Sequence, residues 1–124
     1  KEMLSQGYFG KKPLCYLHDA AAQKMASDSV YKIIYRNGKC STSVYGMGNG
    51  QTVITAKGPD NPSVKELEYL IERRTGAAML AVHVMESWKE QEVIERVGFE
   101  MEGRKLKIRI LEKEGKISCI EIDT

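Results

Sequence analysis

The sequence predicts an α+β domain, a mixed and mostly antiparallel sheet with helices packed on it. Three observations lead there. Ser63 with Glu66 and Ser87 with Glu90 are capping-box pairs, each opening a segment whose apolar residues recur at helical spacing. Asn37-Gly38 separates two β-branched, aromatic runs, which is a strong hairpin signal. Residues 105–111, KLKIRIL, place Leu106, Ile108 and Ile110 on one face and Lys105, Lys107 and Arg109 on the other, as a half-buried strand does.

The elements follow in order. Residues 1–13 contain Gly7, Gly10 and Pro13 and predict an irregular segment. The Ala-rich stretch LHDAAAQKMAS, residues 17–27, predicts a short helix. VYKIIYR and KCSTSVYGM, residues 30–36 and 39–47, predict the two strands of the Asn-Gly hairpin. The glycine-rich run GMGNG, residues 46–50, leads into the β-rich QTVITAK. A phosphate cradle opens into a helix N-terminus, so these glycines predict a second hairpin turn in a three-stranded meander instead. A helix is expected from Ser63 to Thr75-Gly76, burying Val64, Leu67, Leu70 and Ile71. AAMLAVHVM, residues 77–85, predicts a central strand covered on both faces. A second helix, over WKEQEVIERV, is expected to end at Gly98. A terminal hairpin closes the order, with EKEGK as its turn and ISCIEID as its return strand. The adjacent pair Cys119-Ile120 there suggests a bulge or burial on both sides.

At 124 residues, the chain is read as one domain spanning 1–124. A hydrophobic fraction of 42% with 29% charged residues excludes a disordered chain. A formal charge of +2 excludes a strong bulk field, so any basic surface must be local. The longest apolar run is well short of the ~20 residues of a membrane span, and the first residues carry no apolar signal core. Cys15, Cys40 and Cys119, an odd number without a pairing pattern, predict free thiols in a reducing, cytoplasmic setting. Metal-ligand spacing is absent, and Cys15-x-x-His18 reads as packing.

The stretch MLAVHVMESWKEQEVIERVGFEMEGR, residues 79–104, with Gly98-Phe99 and Glu102-Gly103-Arg104, resembles the GCN5-related N-acetyltransferase (GNAT) superfamily. The expected order, helix, three meander strands, helix, strand, helix and two strands, is similar to the later part of that fold. The resemblance implies an acyl-CoA-dependent N-acetyltransferase, or an acyl-CoA-binding relative, with acetyl-CoA as cofactor and no metal. By the same resemblance, Lys57, Gly58, Ser63, Val64 and Lys65 would receive the pyrophosphate at the mouth of the first family helix. The pantetheine arm would run beside the strand containing Val82, and Glu86 or a water would deprotonate the amine. His83, read from its own chemistry, is a second candidate base near neutral pH.

Several residues depart from the family pattern. Pro59 and Pro62 lack N–H donors, Asp60 adds a negative charge, and Ile94 stands where many members place a tyrosine acid. These departures motivate a second reading, a non-catalytic binding module recognising a protein or nucleic-acid partner. For nucleic acid, the candidate contacts are Arg104, Lys105, Lys107 and Arg109, with Arg73 and Arg74 as possible additions.

Overall fold

The computed structural model describes residues 2–3, 16–60 and 65–124. Among them the regular elements are ten strands, and no α-helix is present. They are β1 (Glu2–Met3), β2 (His18–Lys24), β3 (Val30–Asn37), β4 (Cys40–Met47), β5 (Thr52–Pro59), β6 (Glu66–Arg73), β7 (His83–Trp88), β8 (Ile94–Glu102), β9 (Lys105–Glu112) and β10 (Ile117–Asp123). All pairings are antiparallel, in three small sheets ordered β1-β2-β5-β6, β3-β4-β7 and β10-β9-β8. The α+β, acetyltransferase-like architecture is therefore overturned.

Each misread helix has a physical cause. Ala20, Ala21 and Ala22 in β2 are all buried, so close packing outweighs the modest helical preference of alanine. In β6, Tyr69 and Ile71 pack on a core at the two-residue spacing of a strand. Leu67 and Ile71 satisfy both the helical and the strand period, which is why the segment read as helical. The third case is subtler. A register shift between Ile94 and Arg96 in β8 inserts an extra residue. Ile94 and Val97 consequently both reach one core, reproducing an i, i+3 pattern without a helix.

The strands at 30–37, 40–47, 105–112 and 117–123 lie where the alternation puts them, and Gly38 turns the first hairpin at φ 62°. The meander is corrected, because β5 pairs with β2 and β6 and not with β4. Ala77, Ala78 and Met79 are exposed and β7 is an edge strand, so the expected central strand is corrected too. No bulge interrupts β10, whose register runs unbroken from Ile117↔Leu111 to Asp123↔Lys105. Of the segment expected to be irregular, Glu2–Met3 pairs with β2, and residues 1 and 4–13 lie outside the described residues.

The chain divides into two compact units, Lys1–Met25 with Gly50–Met79, and Ala26–Asn49 with Leu80–Thr124. The first holds the four-stranded sheet, whose core joins Leu17, Ala20, Ala22, Ile54 and Ala56 with Tyr69 and Ile71. The second holds both three-stranded sheets. Tyr45 and Met47 from β4 meet Val97, Leu106 and Ile108 from β8 and β9, so these sheets share one core.

Two glycines of the GMGNG run are fixed by close approach. A Cβ on Gly46 would lie 1.9 Å from Cζ of Tyr31, whose ring crosses β4 at that point. On Gly48 it would lie 2.2 Å from the backbone oxygen of Ala26. The Gly48 N–H also donates to the Ser29 carbonyl at 2.8 Å, extending the β3–β4 pairing past Val30↔Met47. Overpacking costs about 1–3 kcal/mol. Gly46→Ala is expected to lose about 2 kcal/mol in urea unfolding followed by Trp88 fluorescence, and Gly48→Ala about 3 kcal/mol, because a backbone carbonyl yields less than a ring. In a Tyr31→Ala background, Gly46→Ala should cost little; an unchanged cost there would show that the ring is not the obstacle.

Candidate functional site

The candidate site is a polar knot inside the second unit. Four elements supply it: Lys32 from β3, Ser43 from β4, Trp88 from β7, and Glu92 from the loop that precedes β8. Trp88 Nε1 donates to Ser43 Oγ at 2.9 Å, and the Ser43 hydroxyl donates to Glu92 Oε1. Lys32 Nζ donates to Glu92 Oε2 at 3.0 Å and lies 2.8 Å from Oε1. The same ammonium stands 5.2 Å from the centre of the Tyr45 ring, and Arg36 lies over Trp88 at 5.8 Å. Ser43 is fully buried, so its hydroxyl needs both partners.

The knot's electrostatics run away from proton transfer at neutral pH. The Lys32 hydrogen bond, followed by that from Ser43, outweighs desolvation and holds the Glu92 carboxyl below its usual range. Burial pulls the Lys32 ammonium down, but hydrogen bonding and charge from Glu92 and Tyr45 more than offset it and leave it raised. Glu92 is thus a fixed anion and Lys32 a fixed cation, while the Ser43 oxygen is closed to solvent. The arrangement suits holding strands together better than acid–base chemistry.

Of the residues expected from the sequence, Glu86 borders this knot and His83 stands away from it. His83 Nε2 meets the Tyr31 hydroxyl at 3.0 Å, with the rings edge-on. It pairs across from Gly46, whereas Glu86 pairs across from Ser43, so His83 and Glu86 project from opposite faces of β7. Glu86 accepts the backbone N–H groups of Val93 and Ile94, the latter at 3.1 Å, and pins the start of β8.

The acyl-CoA expectation depended on a helix mouth, and residues 66–73 form a strand instead. Lys57 and Gly58 lie within β5, Lys65 precedes β6, Val82 precedes β7, and Ser63 and Val64 lie outside the described residues. A Cβ on Gly58 would sit 2.6 Å from Leu17 Cδ2, so packing accounts for that glycine. Lys57 faces Glu66 at 4.0 Å, and Glu66 also meets His18 Nε2 at 2.9 Å.

The basic strand is interleaved with carboxylates. Lys105 lies 3.6 Å from Glu121, Lys107 3.5 Å from Glu102, and Arg109 3.7 Å from Glu100. Arg104 sits in the turn before β9, its carbonyl accepting from the Thr124 N–H and hydroxyl. Arg73 and Arg74 belong to the other unit. No group of three or more potential metal ligands occurs among the described residues, and no helix there is long and apolar enough to cross a membrane.

Sequence reasoning missed the knot. Trp88 falls at the start of the expected second helix, and Glu92 carries no local pattern because its partners are 49 and 60 residues away. β4 carries three hydroxyl side chains in a row, Ser41, Thr42 and Ser43, and nothing local sets Ser43 apart. Compared with models of known protein families, with characterised proteins and with solved structures, the chain matches none.

Glu92, being lowered, contributes stability that is complete above its unfolded pKa and lost as pH falls through the folded one. Lys32, being raised, contributes below its unfolded pKa and loses that contribution as pH rises through the folded one. The knot is therefore fully formed from about pH 5 to about pH 10. Glu92→Gln is expected to cost about 2 kcal/mol at pH 7 by stripping charge from a largely buried network. The gap from wild type in urea unfolding should narrow between pH 7 and pH 3, and a gap that stays constant would show that Glu92 carries no pH-dependent stability.

Proposed function

We propose that this chain is a non-catalytic interaction module that binds a protein partner by accepting one of its strands along β10. The observation that carries this reading is the state of the β10 edge. β9 holds one side of β10 over its whole length, and no strand pairs with the other side among the described residues. Natural edge strands are usually blunted by proline, lysine, a bulge or a charge on the inner face. β10, ISCIEID, has no proline, lysine, bulge or inward charge, and its charged residues, Glu121 and Asp123, lie on the outer face.

Its apolar side is also half open. Ile120 and Ile122 stand beside Ile108 and Leu106, on the face that forms the core. Those β9 residues are 5% and 2% exposed, yet Ile120 and Ile122 are 46% and 44% exposed. The core ends at β9 and β10 overhangs it. An added strand would cover both isoleucines and pair the free backbone groups, the usual source of affinity in strand addition.

The outer face specifies charge. Across β8, β9 and β10 it reads acid, base, acid, with Glu102 and Glu100, then Lys105 and Lys107, then Asp123 and Glu121. A fourth strand continuing this alternation carries Lys or Arg on its outer face and aliphatic residues on its inner face. Such a partner is a basic, β-forming segment. The exposed free thiols of Cys40 and Cys119 support a reducing, cytoplasmic setting for the encounter.

Fluorescence anisotropy with labelled eight-residue peptides tests the reading. A peptide alternating lysine with valine is expected to bind, and its glutamate counterpart is not. Ile120→Lys should weaken binding at least tenfold, and a Glu121→Lys, Asp123→Lys double variant should reverse the charge preference. Retained binding by a peptide N-methylated on alternate residues would mean charge attraction without strand pairing and would overturn the proposal. So would a concentration-dependent dimer that Ile120→Lys abolishes, since the edge would then serve a second copy.

A further inference from the structure

The first unit carries a different surface, at the opposite end of β5 from Lys57. Lys24 pairs across from Thr52, and Thr52 pairs across from Arg73. Residues directly opposite in antiparallel strands stand on the same face, so a cation, a hydroxyl and a cation form one row over three strands. With strands about 4.8 Å apart, the outer two backbones are about 10 Å apart, a span two long basic side chains readily bridge. All three line a hollow of about 800 Å³, together with Gly50, Arg74 and Thr75.

The hollow's surroundings favour an anion. Three cations, Lys24, Arg73 and Arg74, line it against one carboxylate, Glu72. Glu72 pairs opposite Val53, on the other face from the row, and its Oε2 accepts from Gln51 Nε2 at 3.5 Å. Two residues along the same face lies the row Ala22, Ile54 and Ile71, with Ile54 wholly buried. The cationic row is thus the rim of an apolar core, with Lys24, Arg73 and Arg74 exposed to a solvent-borne ligand.

The geometry points to a phosphate-binding site. One guanidinium and one ammonium would approach a tetrahedral dianion from two sides, with Thr52 between them on the middle strand and Arg74 as a third cation in the lining. Arginine suits a planar two-point contact with phosphate oxygens, and lysine serves as a point charge. The ligand is inorganic phosphate or a phosphomonoester, which present the same group. This site is independent of the β10 edge and rests on separate residues.

Titration calorimetry of the full chain at fixed ionic strength tests it, with inorganic phosphate, adenosine monophosphate and chloride as ligands. Phosphate is expected to bind in the millimolar range or tighter and chloride not at all. Tighter binding of the nucleotide by tenfold or more would identify the phosphomonoester as the source, and equal binding the free anion. Thr52→Val, which keeps the strand's shape and preference, should weaken phosphate binding about threefold, and Lys24→Ala or Arg73→Ala at least tenfold. Each variant's melting temperature separates a lost site from a lost fold. Binding unchanged in folded Lys24→Ala and Arg73→Ala variants, or absent in the wild-type chain, would overturn the assignment.

Discussion

Much of the second unit depends on where one carboxylate sits. Glu92 lies in the loop between β7 and β8, and through Ser43 and Lys32 it is tied to the middle of β4 and β3. Glu86 grips the same loop from β7 by the N–H groups of Val93 and Ile94. These two acids fix the point at which β8 begins, and the register shift just after Ile94 lets both Ile94 and Val97 reach the core. The registers of β8 on β9 and of β9 on β10 are set by their own tight turns, at residues 103–104 and 113–116. A one-residue slip of β8 on β9 would turn Val97 and Phe99 outward and place Arg96 and Gly98 inward. The polar knot therefore fixes where β8 enters the shared core, while the hairpin turns set which side chains β10 presents.

Charge ordering on the neighbouring sheet serves the same end. Carboxylates of β8 and β10 flank the cations of β9, so each basic side chain has an acidic neighbour one strand away. Exposed pairs of this kind add little stability individually. Their value lies in specification, since a slipped register would set like charges opposite one another. The stripe that the sequence offered as a nucleic-acid surface forms the middle of this ladder.

Strands whose pattern is local were legible in the sequence. Val30–Asn37 and Cys40–Met47 flank an Asn-Gly turn, and Lys105–Glu112 alternates without a break. What failed was every inference that needed tertiary context. Three buried alanines in β2 have no strand preference of their own and are held extended by neighbours far along the chain. Tyr69 was passed over because Leu67, Leu70 and Ile71 fit a helix better. Ser63 and Glu66 match a capping box, yet Glu66 meets His18 across the sheet. Short capping motifs raise the odds of a helix without imposing one. The candidate knot was invisible for the same reason: its members come from four separate elements.

The β10 edge raises the question of why two copies should not simply join there. Antiparallel self-pairing that covers the isoleucines best would set Ile120 of one copy opposite Ile122 of the other, twice. That register is centred on Glu121 and places the two Glu121 carboxylates directly opposite each other, a like-charge contact that disfavours it. Shifting the centre to Ile120 relieves the clash, but then Ile122 faces Ser118 and Asp123 faces Ile117, leaving Ile120 against its own copy as the one isoleucine pair. The same glutamate that spoils self-association is the one a lysine-bearing strand would neutralise. A single acidic residue thus separates the two classes of occupant, disfavouring the chain's own edge and favouring a basic one.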